Sequence, residues 1–206
     1  MEKEVQLKKK VTLKRKGDTA GISDFTKMIV TLNWTLQEDD SGELGPDFDL
    51  MAFYKTKDGK KGGVCAEGYN ANKDDMGFLD KFPYMQLDQD AAADDNSKAG
   101  DEESEEMKIG KLDDFDKVYI CVINYDDAID NKPAVFGSYK GYVSVTTDTG
   151  DNFEVPMDEK EKQGHVALIC SINNTSGNPK LVNENKILTL GEFADSIPGA
   201  ELVVNL

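Results

Sequence analysis

The chain predicts an all-β protein, a single-domain β-sandwich with a few short helices over residues 1–206. Three observations carry that expectation. Apolar residues recur with period two over most of the chain, turn signals separate the runs at short intervals, and helical periodicity is scarce.

The elements follow in order. Val5/Leu7 and Val11/Leu13 alternate with polar residues and predict two short strands or one bent one. Met28, Val30, Leu32, Trp34 and Leu36 alternate with Ile29, Thr31, Asn33 and Thr35, which predicts a long half-buried strand. Residues 47–54 form the next strand, closed by the turn Lys57-Asp58-Gly59-Lys60. Residues 118–123 are apolar on both faces and read as a central, doubly covered strand. Residues 142–146 and 152–155 flank Asp148-Thr149-Gly150-Asp151 as a hairpin, and 165–172 form a strand whose partner lies around Lys180-Leu181-Val182. A short helix over 190–197 stops at Pro198-Gly199. Residues 88–106, acidic and almost without apolar side chains, read as a loop.

Charge narrows the partners. Asp and Glu number 40 against 24 Lys and Arg, a formal net charge of -16. Affinity for phosphate backbones and anionic membranes comes from Lys and Arg, so nucleic acid is not a predicted partner. Cations and basic proteins suit the chain better. No apolar run approaches membrane-spanning length, so direct membrane insertion is not predicted either. The basic run of Lys3, Lys8, Lys9, Lys10, Lys14, Arg15 and Lys16 reads as the exposed face of early strands, where lysines guard an edge. Nothing behind Met1-Glu2-Lys3-Glu4 resembles a signal peptide, and Cys65, Cys121 and Cys170 fit no CxxC pattern. Buried reduced thiols and a cytoplasmic setting are the expectation.

Most catalytic constellations are absent. His165 is the single histidine and opens an apolar strand; neither a G-x-S-x-G elbow nor a phosphate-binding glycine loop accompanies it. Paired carboxylates serve glycosidases, but Trp34, the one tryptophan, sits where a strand needs it for core.

Oxygen-rich clusters remain. Side chains two apart on a strand share a face, so Asp47 and Asp49 project together, opposite Phe48 and Leu50. Two like charges 4 Å apart repel by about 4 kcal/mol near a protein surface. A cation or water must screen them. The second cluster runs from Asp94 to Glu106. Counted from Asp95, it puts Ser97 third, Gly100 sixth and Glu106 twelfth, but Ala99 occupies the fifth position and no helices flank it, so it matches an EF-hand loop only weakly. The third is Asn124-Tyr125-Asp126-Asp127, directly after the central strand.

At these residues the chain resembles the TerD family of tellurium-resistance and general-stress proteins. The similarity rests on Leu32-Asn33-Trp34, on Asp47-Phe48-Asp49-Leu50-Met51 with Phe53, on an acidic loop opened by Asp95-Asn96 and closed by Ser104-Glu105-Glu106 before Ile109, and on Ile123-Asn124-Tyr125-Asp126-Asp127-Ala128 with Val135-Phe136-Gly137. Met51 stands where the family carries a third aspartate, Ser104 replaces another, and Lys98, Asp101 and Glu103 replace small loop residues. The resemblance implies a β-sandwich that binds calcium and works in a stress response alongside partner proteins, with no established reaction. Asp47, Asp49, Asp95, Asn96, Glu105, Glu106, Asp126 and Asp127 are the calcium ligands expected from it. Two rivals stand beside this: a metal-free interaction domain with a disordered acidic loop, and a hydrolase using the Asp47/Asp49 pair.

Overall fold

Two β-sheets face each other in a computed structural model of the chain, which describes residues 5–38, 42, 44–66, 76–88 and 97–202. Among the described residues, the larger sheet has seven strands in the order β1-β13-β12-β3-β10-β9-β8: β1 (Val11–Thr12), β13 (Asn152–Pro156), β12 (Tyr142–Thr147), β3 (Met28–Thr35), β10 (Glu102–Ile109), β9 (Met85–Leu87) and β8 (Gly77–Phe78). The smaller has six, β2-β15-β14-β11-β6-β7: β2 (Thr19–Gly21), β15 (Lys180–Leu188), β14 (Val166–Asn173), β11 (Phe115–Asn124), β6 (Phe48–Thr56) and β7 (Lys61–Val64). A small ribbon pairs β4 (Gln37–Glu38) with β5 (Leu44–Gly45). Among the described residues, every pairing of these strands is antiparallel except β1 with β13. The fold is the all-β sandwich that the period-two pattern predicts.

Burial follows the pleat. In β3, Met28, Val30, Leu32 and Trp34 are buried while the residues between them are half-exposed. Trp34 meets Phe48 edge-on across the sandwich, with ring centroids 5.8 Å apart. The smaller sheet is covered on both sides. Most of β6 and β14 is buried continuously, and Phe193 of helix α2 (Leu190–Ser196) packs edge-on against Phe53 at 5.2 Å. That helix begins with a capping box, in which the Thr189 hydroxyl accepts the Glu192 N–H and the Glu192 carboxylate accepts the Thr189 N–H.

Two segments depart from the sequence expectation. Residues 5–10 form no strand. They run extended beside β13, with Lys8 N–H donating to the Gly150 carbonyl and Leu13 N–H to that of Glu154. Lys8 Nζ lies 2.6 Å from Asp151 and Lys10 Nζ 2.5 Å from Glu154, so these lysines act as clips as well as edge guards.

The acidic segment 88–106 is not a loop to its end. Glu102–Glu106 form the first half of β10, paired in register with Thr31–Thr35 of β3. Composition misleads here because the segment alternates: Glu105, Met107 and Ile109 point to the core, while Glu102, Ser104 and Lys108 do not. No described helix is long and apolar enough to cross a membrane.

Candidate functional site

β6 and β11 run antiparallel with Asn124 opposite Phe48, so the start of one strand meets the end of the other. The Tyr125 N–H donates to the Asp47 carbonyl at 3.0 Å, and α1 (Tyr125–Ile129) begins there. Buried Asn124 turns its amide into this corner and donates through Nδ2 to Asp127 Oδ2 at 2.7 Å. The Lys132 N–H donates to the Asp127 carbonyl at 2.7 Å and closes the turn.

These contacts frame a cleft of about 640 Å³, whose lining includes Glu38, Asp47, Asn124, Asp127, Asp130 and Lys132. Among the described lining residues are four carboxylates and one ammonium, and Lys132 Nζ is already 2.6 Å from Asp130 Oδ2. The adjoining core is aromatic. Phe48 is fully buried, stacks on Phe136 at 5.4 Å and meets Tyr139 edge-on at 5.3 Å. Gly137 is needed beside that stack, because a Cβ there would fall 2.5 Å from the Glu159 carbonyl. Burial, and then the charge of Asp127, push the Tyr139 phenol above its ordinary range.

The sequence-assigned ligands separate into groups. Asp47 and Asp127 line the cleft together. Asp49, two residues further along β6, is buried and does not line it. Glu105 is buried inside the sandwich, where its Oε2 accepts the Leu50 N–H at 2.6 Å. Glu106 projects from the other face of β10, with a carboxylate oxygen 3.5 Å from Lys108 Nζ. A loop allows Glu105 and Glu106 to converge on one ion; a strand sends them to opposite faces. Asp126 belongs to α1, but its side chain, like Asp95 and Asn96, lies outside the described residues.

Sequence reading missed Glu38, Asp130, Lys132 and Tyr139. Only Asp130 left a signal, three residues beyond Asp127 at a spacing that puts both on one side of a helical turn. Glu38 and Tyr139 reach the cleft through the β4–β5 ribbon and the turn after Phe136, which no local pattern announces.

The donor chemistry suits a hard cation. The described side chains of the cleft offer carboxylate and amide oxygens, with no thiol or imidazole among them. The number of converging acids is low, since no three His, Cys, Asp or Glu side chains among the described residues cluster closely enough to hold an ion. Calcium takes six to eight oxygens, some of them from carbonyls and water, and its affinity falls with the count of charged ligands.

The remaining polar core offers little nucleophilic chemistry. Burial pushes the thiols of Cys121 and Cys170 well above their ordinary range, and Cys65 is also buried. His165 is buried, and neither ring nitrogen has a hydrogen-bond partner among the described residues. No protein-family model and no curated protein matches the chain.

Proposed function

We propose that the protein binds calcium at the cleft where β6 begins and β11 ends, and acts by docking partners rather than by catalysis. Its role in a stress response is the one that the resemblance to TerD proteins implies. The observation that carries the reading is the convergence of Asp47, Asn124 and Asp127 at one corner, with Glu38 and Asp130 at the rim. Asp47 and Asp127 supply the charge and Asn124 the amide oxygen. Asp95, Asn96 and Asp126 supply the rest in this reading. Glu105, buried behind the corner, holds the start of β6 through the Leu50 N–H, and Asp49 is buried beside it in the same strand. Bound calcium would neutralise the clustered carboxylates and fix the acidic chain around them as a docking face.

With so few converging acids, the affinity belongs in the weak class, a Kd of about 0.1–1 mM. Titration calorimetry of the full chain with calcium and with magnesium tests this. The expected result is a calcium isotherm in that range, reduced about tenfold by Asp47→Asn or Asp127→Asn. Magnesium, which demands a tight octahedron and keeps its waters, gives a much smaller signal. Heat that is absent for calcium, or that survives both substitutions, overturns the reading.

A metal-free interaction domain is the second reading. It is favoured by one observation, the lack of three converging metal-ligating side chains among the described residues. It expects no calcium heat.

A further inference from the structure

The far end of β6 carries a different cleft, about 26 Å from the first along the strand. Its volume is about 510 Å³, and its lining includes Lys57, Asp58, Phe82, Tyr84, Asp113 and Asp114. Phe82 stacks on Phe115 with centroids 5.7 Å apart and an interplanar angle of 21°, and meets Tyr54 and Tyr84 edge-on at 5.5 and 6.2 Å. It is nevertheless 41% exposed. A ring with three aromatic neighbours that is still this exposed leaves part of its surface open to solvent.

Tyr84 beside it has φ of 57°, a left-handed conformation that a bulky residue rarely adopts. Two backbone hydrogen bonds hold it there, Tyr84 N–H to the Lys81 carbonyl and Gly110 N–H to the Tyr84 carbonyl, both 2.8 Å. Such strain concentrates where a side chain must be aimed.

The chain itself shows what this surface attracts. Lys111 Nζ lies 3.8 Å from the Tyr84 ring centroid and 3.7 Å from Asp114 Oδ2, an ammonium between an aromatic face and a carboxylate. The same cleft is lined by the exposed Phe82 ring and by a second acid, Asp113. Asp58 is engaged by Lys60 at 2.8 Å. Asp113 is exposed and makes no hydrogen bond or ion pair among the described residues.

We infer that Phe82 and Asp113 form a receptor for an arginine side chain carried by an extended basic segment of a partner protein. A planar guanidinium stacks on an aromatic face and at the same time donates to a carboxylate, which an ammonium does less well. The formal net charge of -16 draws basic segments to the chain as a whole, and within the cleft, whose lining also carries Lys57 and Lys60, Asp113 is the acid that the Lys60–Asp58 and Lys111–Asp114 pairs leave over. The inference does not rest on calcium, because the two clefts lie at opposite ends of β6.

The test is an amide-resolved NMR titration of the full chain with the peptide acetyl-Gly-Arg-Gly-amide, its citrulline counterpart, acetyl-Gly-Asp-Gly-amide, and free arginine. The arginine peptide should shift the amides of residues 82–84 and 111–115 with a Kd on the order of a few millimolar. Phe82→Leu and Asp113→Asn should each weaken it about fivefold or more with the rest of the spectrum unchanged. Asp113→Asn is an exposed, isosteric change, so it tests the site even where a Phe82 variant loses the fold. Equal shifts from the citrulline peptide, stronger shifts from the aspartate peptide through Lys57, or shifts elsewhere on the molecule would overturn the inference. Free arginine binding as tightly as the peptide would overturn the assignment to a partner segment.

Discussion

Glu105 and Leu50 belong to different sheets, and the carboxylate of one accepts the backbone N–H of the other at 2.6 Å inside the sandwich. β7 pairs with β6 only as far as Ala52 opposite Val64, so Leu50 lies beyond the end of that ladder. The carboxylate supplies the acceptor that a longer strand would have provided. A buried N–H left without one costs about 1–3 kcal/mol. Glu105→Ala is expected to lose at least that much, since it also leaves a void, whereas Glu105→Gln keeps a carbonyl acceptor and loses less. Urea denaturation of both variants checks the order, and equal losses would contradict it.

The one tryptophan reports on the calcium cleft. Trp34 Nε1 donates to the Pro46 carbonyl at 3.1 Å, one residue before Asp47. Calcium binding at Asp47 should therefore change Trp34 emission, saturating with the calorimetric Kd and reversing with chelator. Emission that is flat through a calorimetrically resolved transition would move the ion away from Asp47.

The arm along β13 is sensitive to acid. Burial pushes the Asp151 carboxyl up, but hydrogen bonds from Lys8 Nζ, Ser23 N–H and the Ser23 hydroxyl outweigh it and hold the carboxyl below its ordinary range. A depressed folded-state pKa means that the stabilisation is present above the unfolded value, about 3.9, and is lost as pH falls through the folded one. Asp151→Asn should cost about 1.5–3 kcal/mol at pH 7, the range for hydrogen bonds to a charged group. Melting curves of the variant should also lose part of the decline that the parent shows below about pH 4. Parallel pH profiles for the two proteins would disprove this.

The thiols should stay silent. Cys65, Cys121 and Cys170 are buried, and burial disfavours the thiolate of the last two. A colourimetric thiol reagent is expected to titrate none of them quickly in the folded protein and all of them in denaturant. Rapid labelling of one cysteine in the native state would reveal local opening.

Helix α2 depends on its cap. Thr189→Ala removes the hydroxyl that accepts the Glu192 N–H and should cost about 1 kcal/mol. For a chain of this size that lowers the melting midpoint by about 2–4 °C. No change would mean that the Phe193 contact alone fixes the helix.

Where a segment carries its own period, its structure was legible. The alternation in 28–36, the unbroken apolar run after Val118 and the Asp148–Asp151 turn each named their element, because burial on one face, both faces or neither is written directly in residue order. The acidic segment was legible only in part. Glu105 looks like any other acid in a run of acids, and what buries it is a backbone gap at Leu50, set by where β7 ends. The corner of Asp47 and Asp127 was half legible. Each was conspicuous beside a strong strand, but that the two strands meet end to start is a fact of register. Phe82 and Tyr84 were not singled out at all, since the stack on Phe115 and the left-handed backbone exist only after the chain folds.

The arm has one further consequence, for synthesis. Lys8 finds Asp151 across 143 positions of chain. At roughly 5–20 residues per second, a ribosome releases the arm about 7–30 s before the strand that receives it. Throughout that interval Val5, Leu7, Val11 and the lysines around them travel without a template, a basic and greasy ribbon on a chain otherwise rich in acid. Closing the larger sheet at this edge therefore waits for residues 152–156.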